Sequence, residues 1–380
     1  MTPPRRRPAP SLTARIGSRV LAVALTAVAA GLLAVPAALP AAPSAGAQAP
    51  GPGTVSPTGA LGPVLEQAGP ARVRSGASER RGPRLHTGRD RLRRAVHCTP
   101  QVTPQHPGRT VVLVHGTGST GSESWGWSYR RALRADGFGV CVVNLPGRAL
   151  GSFTRSAEYV VHAVRQAARR SGRDVALVGH SQGGSMSVWV TKFWPDVGRK
   201  VEDVVSIAGP LNGTELADNL CAPGRCTPLA WQSRTTARTL AALRGARLSP
   251  STSYTSIVTL HDEIVYPQPR AGRMPGVKLV VAQDVCAADP VEHGLILGDP
   301  VTYAVALDAL THPGPGRGAR VPTGTCRQSF IPHGDPQGSA VFLRTLGAFT
   351  TGLLDPRRMT GDEPRLPRYA RAAARRHASS

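Results

Sequence analysis

The segment Val175-Ala176-Leu177-Val178-Gly179-His180-Ser181-Gln182-Gly183-Gly184 joins an apolar, β-branched run to a helical one through Gly-x-Ser-x-Gly. That pattern places a serine on a sharp strand-to-helix turn, with its hydroxyl projecting above a sheet. Gly179 and Gly183 belong there because side chains would collide where the helix folds back on the strand. A bare Gly-x-Ser-x-Gly recurs by chance as a structural turn; the flanking strand and helix make this one a nucleophile. A serine hydroxyl is too weak an acid to attack a carbonyl unaided, so a base and an orienting carboxylate must converge on it. In this architecture they follow in the order Ser, Asp, His, each just after a strand. Asp262, in Thr259-Leu260-His261-Asp262-Glu263-Ile264-Val265, directly follows an apolar run, with Glu263 and Asp284 as rivals. His293, in Pro290-Val291-Glu292-His293-Gly294, lies in the loop after the next strand. His261 is too close to Asp262 to act as its base, which leaves His312 and His333 as fallbacks, His333 the more serious.

His115-Gly116-Thr117-Gly118 closes an earlier apolar run. Glycine lets the backbone approach a substrate oxygen, so one N–H of this loop can join that of Gln182 as an oxyanion hole. A glycine-rich turn with no ligand is the plainer alternative; its placement opposite the serine turn favours the first. His115 reads as a structural histidine and His180 as a residue lining the site.

These residues need a scaffold, and the hydrophobic pattern supplies one. Val111–Val114 is continuously apolar, as a strand buried on both faces must be. The same texture recurs at 140–143, 175–178, 204–207, 256–260 and 277–281. Between the runs lie helical periods: over 154–170, Ala157, Val160, Val161, Val164 and Ala168 recur at three- and four-residue steps. Helices are also expected over 182–193 and 301–310, the second with Asp299 as N-cap and Pro300 in its first turn. Strands alternating with helices make an α/β fold with a mostly parallel sheet covered on both faces. Between residues 207 and 256 the connection is far longer than a usual βα loop, so a helical cap is expected at about 210–250. Leu211, Leu216, Leu220, Leu229, Trp231, Leu240 and Leu243 give it apolar surface, either as a lid over an acyl tunnel or as helices packed on the sheet.

Composition divides the chain of 380 residues more sharply than its total charge of +23 suggests. Net charge is +12 over 1–110, +6 over 111–355 and +5 over 356–380, so the basic excess lies mostly in the flanks. Glycine and proline make up about a fifth of the chain, aromatics only 4%, and no repeat is present, which excludes collagen-like, coiled-coil and solenoid folds. Arg5, Arg6, Arg7, Arg15 and Arg19 precede an uncharged apolar stretch over 20–35 and a small-residue site at Ala45-Gly46-Ala47. That reads as a secretory signal over 1–47 rather than an uncleaved anchor. Residues 48–95 read as a Pro/Gly/Arg-rich disordered linker, 96–356 as the catalytic domain and 357–380 as a basic tail. The basic arms could hold an anionic polymer or lipid, but charge blocks are commonly solvated tails. No nucleic-acid partner, metal site or cofactor is implied, and a monomer suffices. Six cysteines fit an oxidising compartment and by themselves allow 15 pairings.

Taken together, Val114-His115-Gly116-Thr117-Gly118-Ser119-Thr120-Gly121, the Ser181-Gln182-Gly183-Gly184 turn, Asp262-Glu263-Ile264-Val265-Tyr266-Pro267 and Val285-Cys286 ahead of His293 resemble the Candida antarctica lipase B-like group of secreted α/β-hydrolases. The resemblance covers about 98–330. It implies an α/β-hydrolase fold with Ser181 as nucleophile, Asp262 and His293 as partners, and Thr117 with Gln182 as oxyanion donors. It implies a carboxylic-ester substrate, no cofactor and a pocket under a small mobile cap, hence a secreted triacylglycerol lipase or carboxylesterase working on lipid or ester, in solution or at an oil–water or membrane interface. His180 stands where the fungal enzyme has a tryptophan, so alcohol selectivity does not carry over. The resemblance supports Cys98–Cys141 and Cys286–Cys326; Cys221–Cys226 follows by elimination and proximity, with Pro223 and Gly224 between them. Two alternatives stay open: a cell-envelope or polyanion-binding protein on a degenerate hydrolase scaffold, or the same mechanism on a polyester, sterol ester or amide.

Overall fold

The computed structural model describes residues 82–378. The expected signal over 1–47 and most of the expected linker lie outside them. In chain order the principal elements are α1 (Arg89–Arg94), β1 (Val96–Cys98), β2 (Thr110–Val114), α2 (Gly121–Trp125), α3 (Tyr129–Ala135), β3 (Gly139–Val143), α4 (Phe153–Ser171), β4 (Val175–His180), α5 (Gln182–Phe193) and β5 (Val201–Ile207). There follow α6 (Glu215–Cys221), α7 (Pro228–Ser233), α8 (Arg238–Gly245), β6 (Ser253–Val258), β7 (Lys278–Val281), α9 (Pro300–Thr311), α10 (Ser339–Leu343), α11 (Thr345–Leu354) and α12 (Arg368–Ala378).

The seven strands run in the order β1-β3-β2-β4-β5-β6-β7, with β1 antiparallel to β3 and every other pair parallel. Side chains alternate faces along a strand, so two apolar layers form. Val112, Val114, Leu177 and Val204 face α1, α4, α5, α8 and α12. Val111, Leu113, Val178, Val205 and Ile257 face α2, α3 and α9. From β2 the chain winds outward through β3 in one direction and through β4 in the other. Loops at the carboxyl ends of β2 and β4 therefore border the crevice where strand order reverses, the usual ligand position in an open α/β sheet.

Both expected arms need correction. The linker expected to reach residue 95 ends earlier: from Gly82 the chain is docked. Gly82 N–H donates to Asp196 Oδ1 at 3.0 Å, Trp194 Nε1 donates to the Pro83 carbonyl at 2.8 Å, and Leu92 of α1 is buried. At the other end, α12 carries Arg368, Arg371, Arg375 and Arg376 outward and buries Ala370 and Ala373 against the core, together with Leu366 just before it. The Tyr369 ring lies 5.0 Å from that of Trp194 and 5.4 Å from that of Phe193. Just before α12, Glu363 accepts from the Arg238 and Thr239 N–H groups that open α8, both at 2.9 Å. An amphipathic helix with an alanine face looks like a charge run when charges are counted without their period.

The long insertion is helical as expected, and its parts differ. Leu240 and Leu243 of α8 are buried in the main core beneath α12, so α8 is scaffold. Half-buried Leu216 of α6 instead joins Ile264, Val265, Ala271 and Phe349 in a small cluster of its own.

Candidate active site

Ser181 sits between β4 and α5 with φ 53° and ψ −127°, in the left-handed region that a residue with a Cβ disfavours. The surroundings enforce it. A Cβ on Gly179 would lie 2.3 Å from the Gly183 carbonyl oxygen, and one on Gly183 would lie 2.2 Å from that of Val114. The two glycines are therefore required by close packing of α5 on β4 and β2. The Ser181 N–H is tied to the Ile207 carbonyl at 2.8 Å, which pins the turn to β5.

Asp262 lies in the loop after β6 and His293 in the loop between β7 and α9, and the structure joins them. His293 Nδ1 stands 2.9 Å from Asp262 Oδ1 and 3.0 Å from Oδ2. Asp262 Oδ1 also accepts from the Ile264 and Val265 N–H groups at 3.0 and 2.6 Å, which fixes the carboxylate and keeps it an acceptor. Nδ1 must then carry the imidazole proton, leaving the Nε2 lone pair free. Burial disfavours the charged imidazole, but Asp262 at contact, with Glu263 and Glu292 behind it, outweighs burial and raises the His293 pKa above its ordinary value. No direct hydrogen bond joins Ser181 Oγ to His293 among the described residues. Such bonds are often long until substrate binds.

His180 links the two halves. Its Nε2–H donates to the His293 carbonyl at 2.9 Å, and the two rings lie 4.9 Å apart. Complete burial and the neighbouring His293 push its pKa down to about 3, so it stays neutral. His115 is the structural histidine expected: its Nε2 accepts from Leu145 N–H at 2.9 Å and its Nδ1–H donates to the Gly116 carbonyl at 2.7 Å. Burial lowers its pKa to about 4.

The loop after β2 abuts the nucleophile because β2 and β4 are paired, with Val114 opposite Gly179. A Cβ on Gly116 would lie 2.8 Å from that of Ser181. Thr117 Oγ1 donates to Gln182 Oε1 at 3.2 Å, so the two expected oxyanion donors touch through their side chains. Gln182 opens α5, where N–H groups have no partner within the helix. The remaining candidates stand apart. His261 and Asp284 are exposed, His312 pairs with Asp308 on α9, and His333 lies in an exposed loop near Arg131. Glu263 is adjacent to Asp262 but accepts the His293 backbone N–H at 3.2 Å instead of the ring.

Sequence reading missed two contributors. Phe342 of α10 faces the His180 ring at 6.2 Å, and Phe349 of α11 covers the loop at Gly118, where an added Cβ would meet Phe349 Cβ at 2.6 Å. The signal was available: Phe342, Leu346, Phe349 and Leu353 recur at helical spacing in a stretch whose one charge is Arg344. All three disulfides, Cys98–Cys141, Cys221–Cys226 and Cys286–Cys326, are formed as expected. The last one ties the start of the His293 loop to the segment after α9.

A model of the Alpha/beta hydrolase family matches residues 111–380. The chain belongs to that family. Among curated proteins, Lipase B of Pseudozyma antarctica is 29% identical over 216 residues, which span 55% of this chain and 63% of that protein. The chain thus matches less than two thirds of that relative's length. The crystal structure of Aspergillus fumigatus lipase B superimposes with a TM-score of 0.69 at 23% identity, covering 79% of this chain and 78% of that one. These relatives agree with the lipase B-like resemblance of the motifs, and the structural likeness shows the fold.

Proposed function

We propose that the chain is an exported serine hydrolase that cleaves carboxylic esters through Ser181, His293 and Asp262. The observation carrying this reading is a serine held in left-handed geometry next to His180, which binds the carbonyl of His293, a buried imidazole whose Nδ1 is engaged by a fixed carboxylate. His293 Nε2 takes the proton from Ser181 Oγ as the oxygen attacks the ester carbonyl. The Thr117 and Gln182 N–H groups receive the oxyanion. His293 then gives the proton to the departing alkoxide, and water repeats the sequence on the acyl-enzyme. Asp262 keeps the useful tautomer throughout and stabilises the transient imidazolium.

Substrates are water-insoluble or medium-to-long-chain esters, in keeping with the names of the relatives and with the apolar cover from Phe342 and Phe349. Export is supported by all six cysteines being paired and by the basic and apolar N-terminal pattern. No helix among the described residues is long and apolar enough to cross a membrane.

The test is hydrolysis of p-nitrophenyl esters from C2 to C16 alongside an olive-oil emulsion, with fluorophosphonate labelling. Ser181→Ala should fold, escape labelling and lose turnover by about 10⁴-fold or more. Retention of activity within tenfold of the parent would show that the nucleophile lies elsewhere.

A further inference from the structure

The proposed oxyanion donor Thr117 is followed by Gly118, at φ +80°, and one residue thirty positions away grips that glycine at both ends. Gly118 N–H donates to the Arg148 carbonyl at 2.8 Å, and Arg148 Nε donates to the Gly118 carbonyl at 2.7 Å. The backbone that presents Arg148 is itself contorted: Gly147, Arg148 and Ala149 have φ of 56°, 58° and 56°. Left-handed geometry is disfavoured for a residue with a Cβ, and two such residues in succession need a surrounding structure that holds them there. The contortion points the Arg148 carbonyl and guanidinium at the same peptide.

The guanidinium does more than hold Gly118. Its Nη2 donates to Glu123 Oε2 at 2.6 Å, and the same oxygen accepts from Thr120 N–H at 2.7 Å and Thr120 Oγ1 at 2.9 Å. Thr120 is the N-cap of α2 in a full capping box. Burial favours protonation of Glu123, but the bonds from Arg148 and Thr120 outweigh it and hold the carboxyl below its ordinary range. A closed chain of bonds thus runs from Gly118 through Arg148 and Glu123 to Thr120, bracketing the turn after Thr117. Thr117 itself is tied on the other side to Gln182.

We propose that Arg148 is a positioning residue that sets the aim of the Thr117 N–H at the developing oxyanion. This rests on the reading of Ser181, Thr117 and Gln182 given above. Donors preorganised toward developing charge act mainly in the transition state, so disturbing their aim lowers kcat more than it raises KM. A residue serving stability alone would lower the melting temperature and leave kcat in place.

The test uses the full chain with Arg148→Gly, since glycine accepts φ near +58° and removes only the side chain. Arg148→Lys keeps the charge without the planar fork that reaches Gly118 and Glu123 together. Expected for Arg148→Gly is a kcat about ten- to a hundredfold lower, with KM within about threefold. Affinity for a trifluoromethyl ketone transition-state analogue should fall in step with kcat/KM. The side chain is 34% exposed, so added guanidinium ion can enter the gap and restore part of kcat. Arg148→Lys should not rescue. A kcat within twofold of the parent, a loss carried by KM, or a loss that guanidinium fails to reduce would each overturn the assignment. Ser181→Ala, assayed in parallel, separates the two claims: if it still turns over ester, the reading of the site falls, and the role of Arg148 with it.

Discussion

Ser181 and His293 belong to one proposed site, but the segments carrying them are built by different means. Ser181 is placed by ten consecutive residues: β4 ends, Gly179 and Gly183 permit the close fold-back, and α5 begins. His293 lies in a loop between β7 and α9 that has little regular structure, and contacts from four directions hold it. Thr259 Oγ1 donates to the Val291 carbonyl at 2.6 Å, Glu263 accepts the His293 N–H at 3.2 Å, His180 binds its carbonyl at 2.9 Å, and Cys286–Cys326 closes the base of the loop. Glu292 stiffens the far side by accepting from Gly294 N–H at 2.5 Å and Leu295 N–H at 2.7 Å. A local motif gives the proposed nucleophile a rigid seat; a proposed base held from many sides is accurate only while those supports remain. Changes near the serine should act as all-or-none chemistry, and changes around the histidine as graded misplacement.

The largest effect is expected at the one contact that defines the histidine's tautomer. Asp262→Asn keeps the size of the side chain but lets the amide donate to Nδ1, which moves the ring proton to Nε2, where the base is needed. In serine hydrolases this exchange costs about 10⁴ in kcat, or roughly 5 kcal/mol of barrier. Stopped assays on a soluble p-nitrophenyl ester measure it directly. A loss under about tenfold would give the carboxylate role to neighbouring Glu263.

The next effect falls on the rigid half through its scaffold. Removing residues 365–380 strips α12 from Trp189 and Phe193 of α5 and from Trp194 just after it, three aromatics that pack on Tyr369. Losing the buried Leu366, Ala370 and Ala373 and the half-buried Tyr369 should cost several kcal/mol, judged against roughly 2–5 kcal/mol for single large-to-small core changes. Thermal melting should show a strong destabilisation or an insoluble product. An unchanged melting temperature would restore the passive basic tail that charge counting suggested.

The same contrast explains what could be read in advance. Six strands and three helices were legible because each buries a continuous or periodic apolar set; the expected helix 182–193, for example, coincides with α5. Ser181 was legible for the same reason, since its motif is local and sterically forced. Asp262 and His293 could be ranked, but their meeting depends on two loops, with the two residues 31 positions apart, and only the folded chain joins them. β1 has three residues and takes its identity from pairing with β3, including Cys98 opposite Cys141, so no pattern within it reveals a strand. Arg148 was invisible: an arginine in a loop gives no sign that left-handed backbone turns it onto Gly118. The basic C-terminal tail misled because its charge was counted without asking which face of a helix it occupies.

A smaller, graded effect should separate two disulfides of nearly equal span. Cys98–Cys141 and Cys286–Cys326 are separated by 43 and 40 residues, so on loop-closure entropy each stabilises by about 4 kcal/mol. The first links β1 to β3 at one edge of the sheet, while the second closes the loop bearing His293. Paired Cys→Ala variants should therefore lose similar stability and unequal activity at a temperature where both remain folded. We expect the Cys286/Cys326 pair to lose about tenfold in kcat and the Cys98/Cys141 pair less than about twofold, since misplacing a catalytic group by about 1 Å costs up to 10²-fold. Equal losses would mean the His293 loop is held well enough by its hydrogen bonds alone.

The smallest effect sets two touching histidines against each other. His293 must be neutral to act as base, and its pKa is raised, so the acid limb of kcat/KM should lie above the ordinary histidine value of 6.5 and follow a single proton. His180, 4.9 Å away, stays neutral down to about pH 3 and should add no second step in the working range. The stability consequences have opposite signs. The raised pKa of His293 stabilises the fold below the unfolded value, and that contribution is lost as pH rises through the folded value. For His180 and His115, lowered to about 3 and about 4, stability is full above 6.5 and is lost as pH falls from there, because the unfolded chain takes up protons the core refuses. His180→Asn keeps an N–H for the His293 carbonyl while removing the titrating ring. It should reduce the acid sensitivity of unfolding and leave the kcat/KM limb within about half a pH unit, a shift worth under about 1 kcal/mol. An acid limb that disappears in His180→Asn would assign the catalytic titration to His180 and undo the contrast between the fixed serine turn and the supported histidine loop.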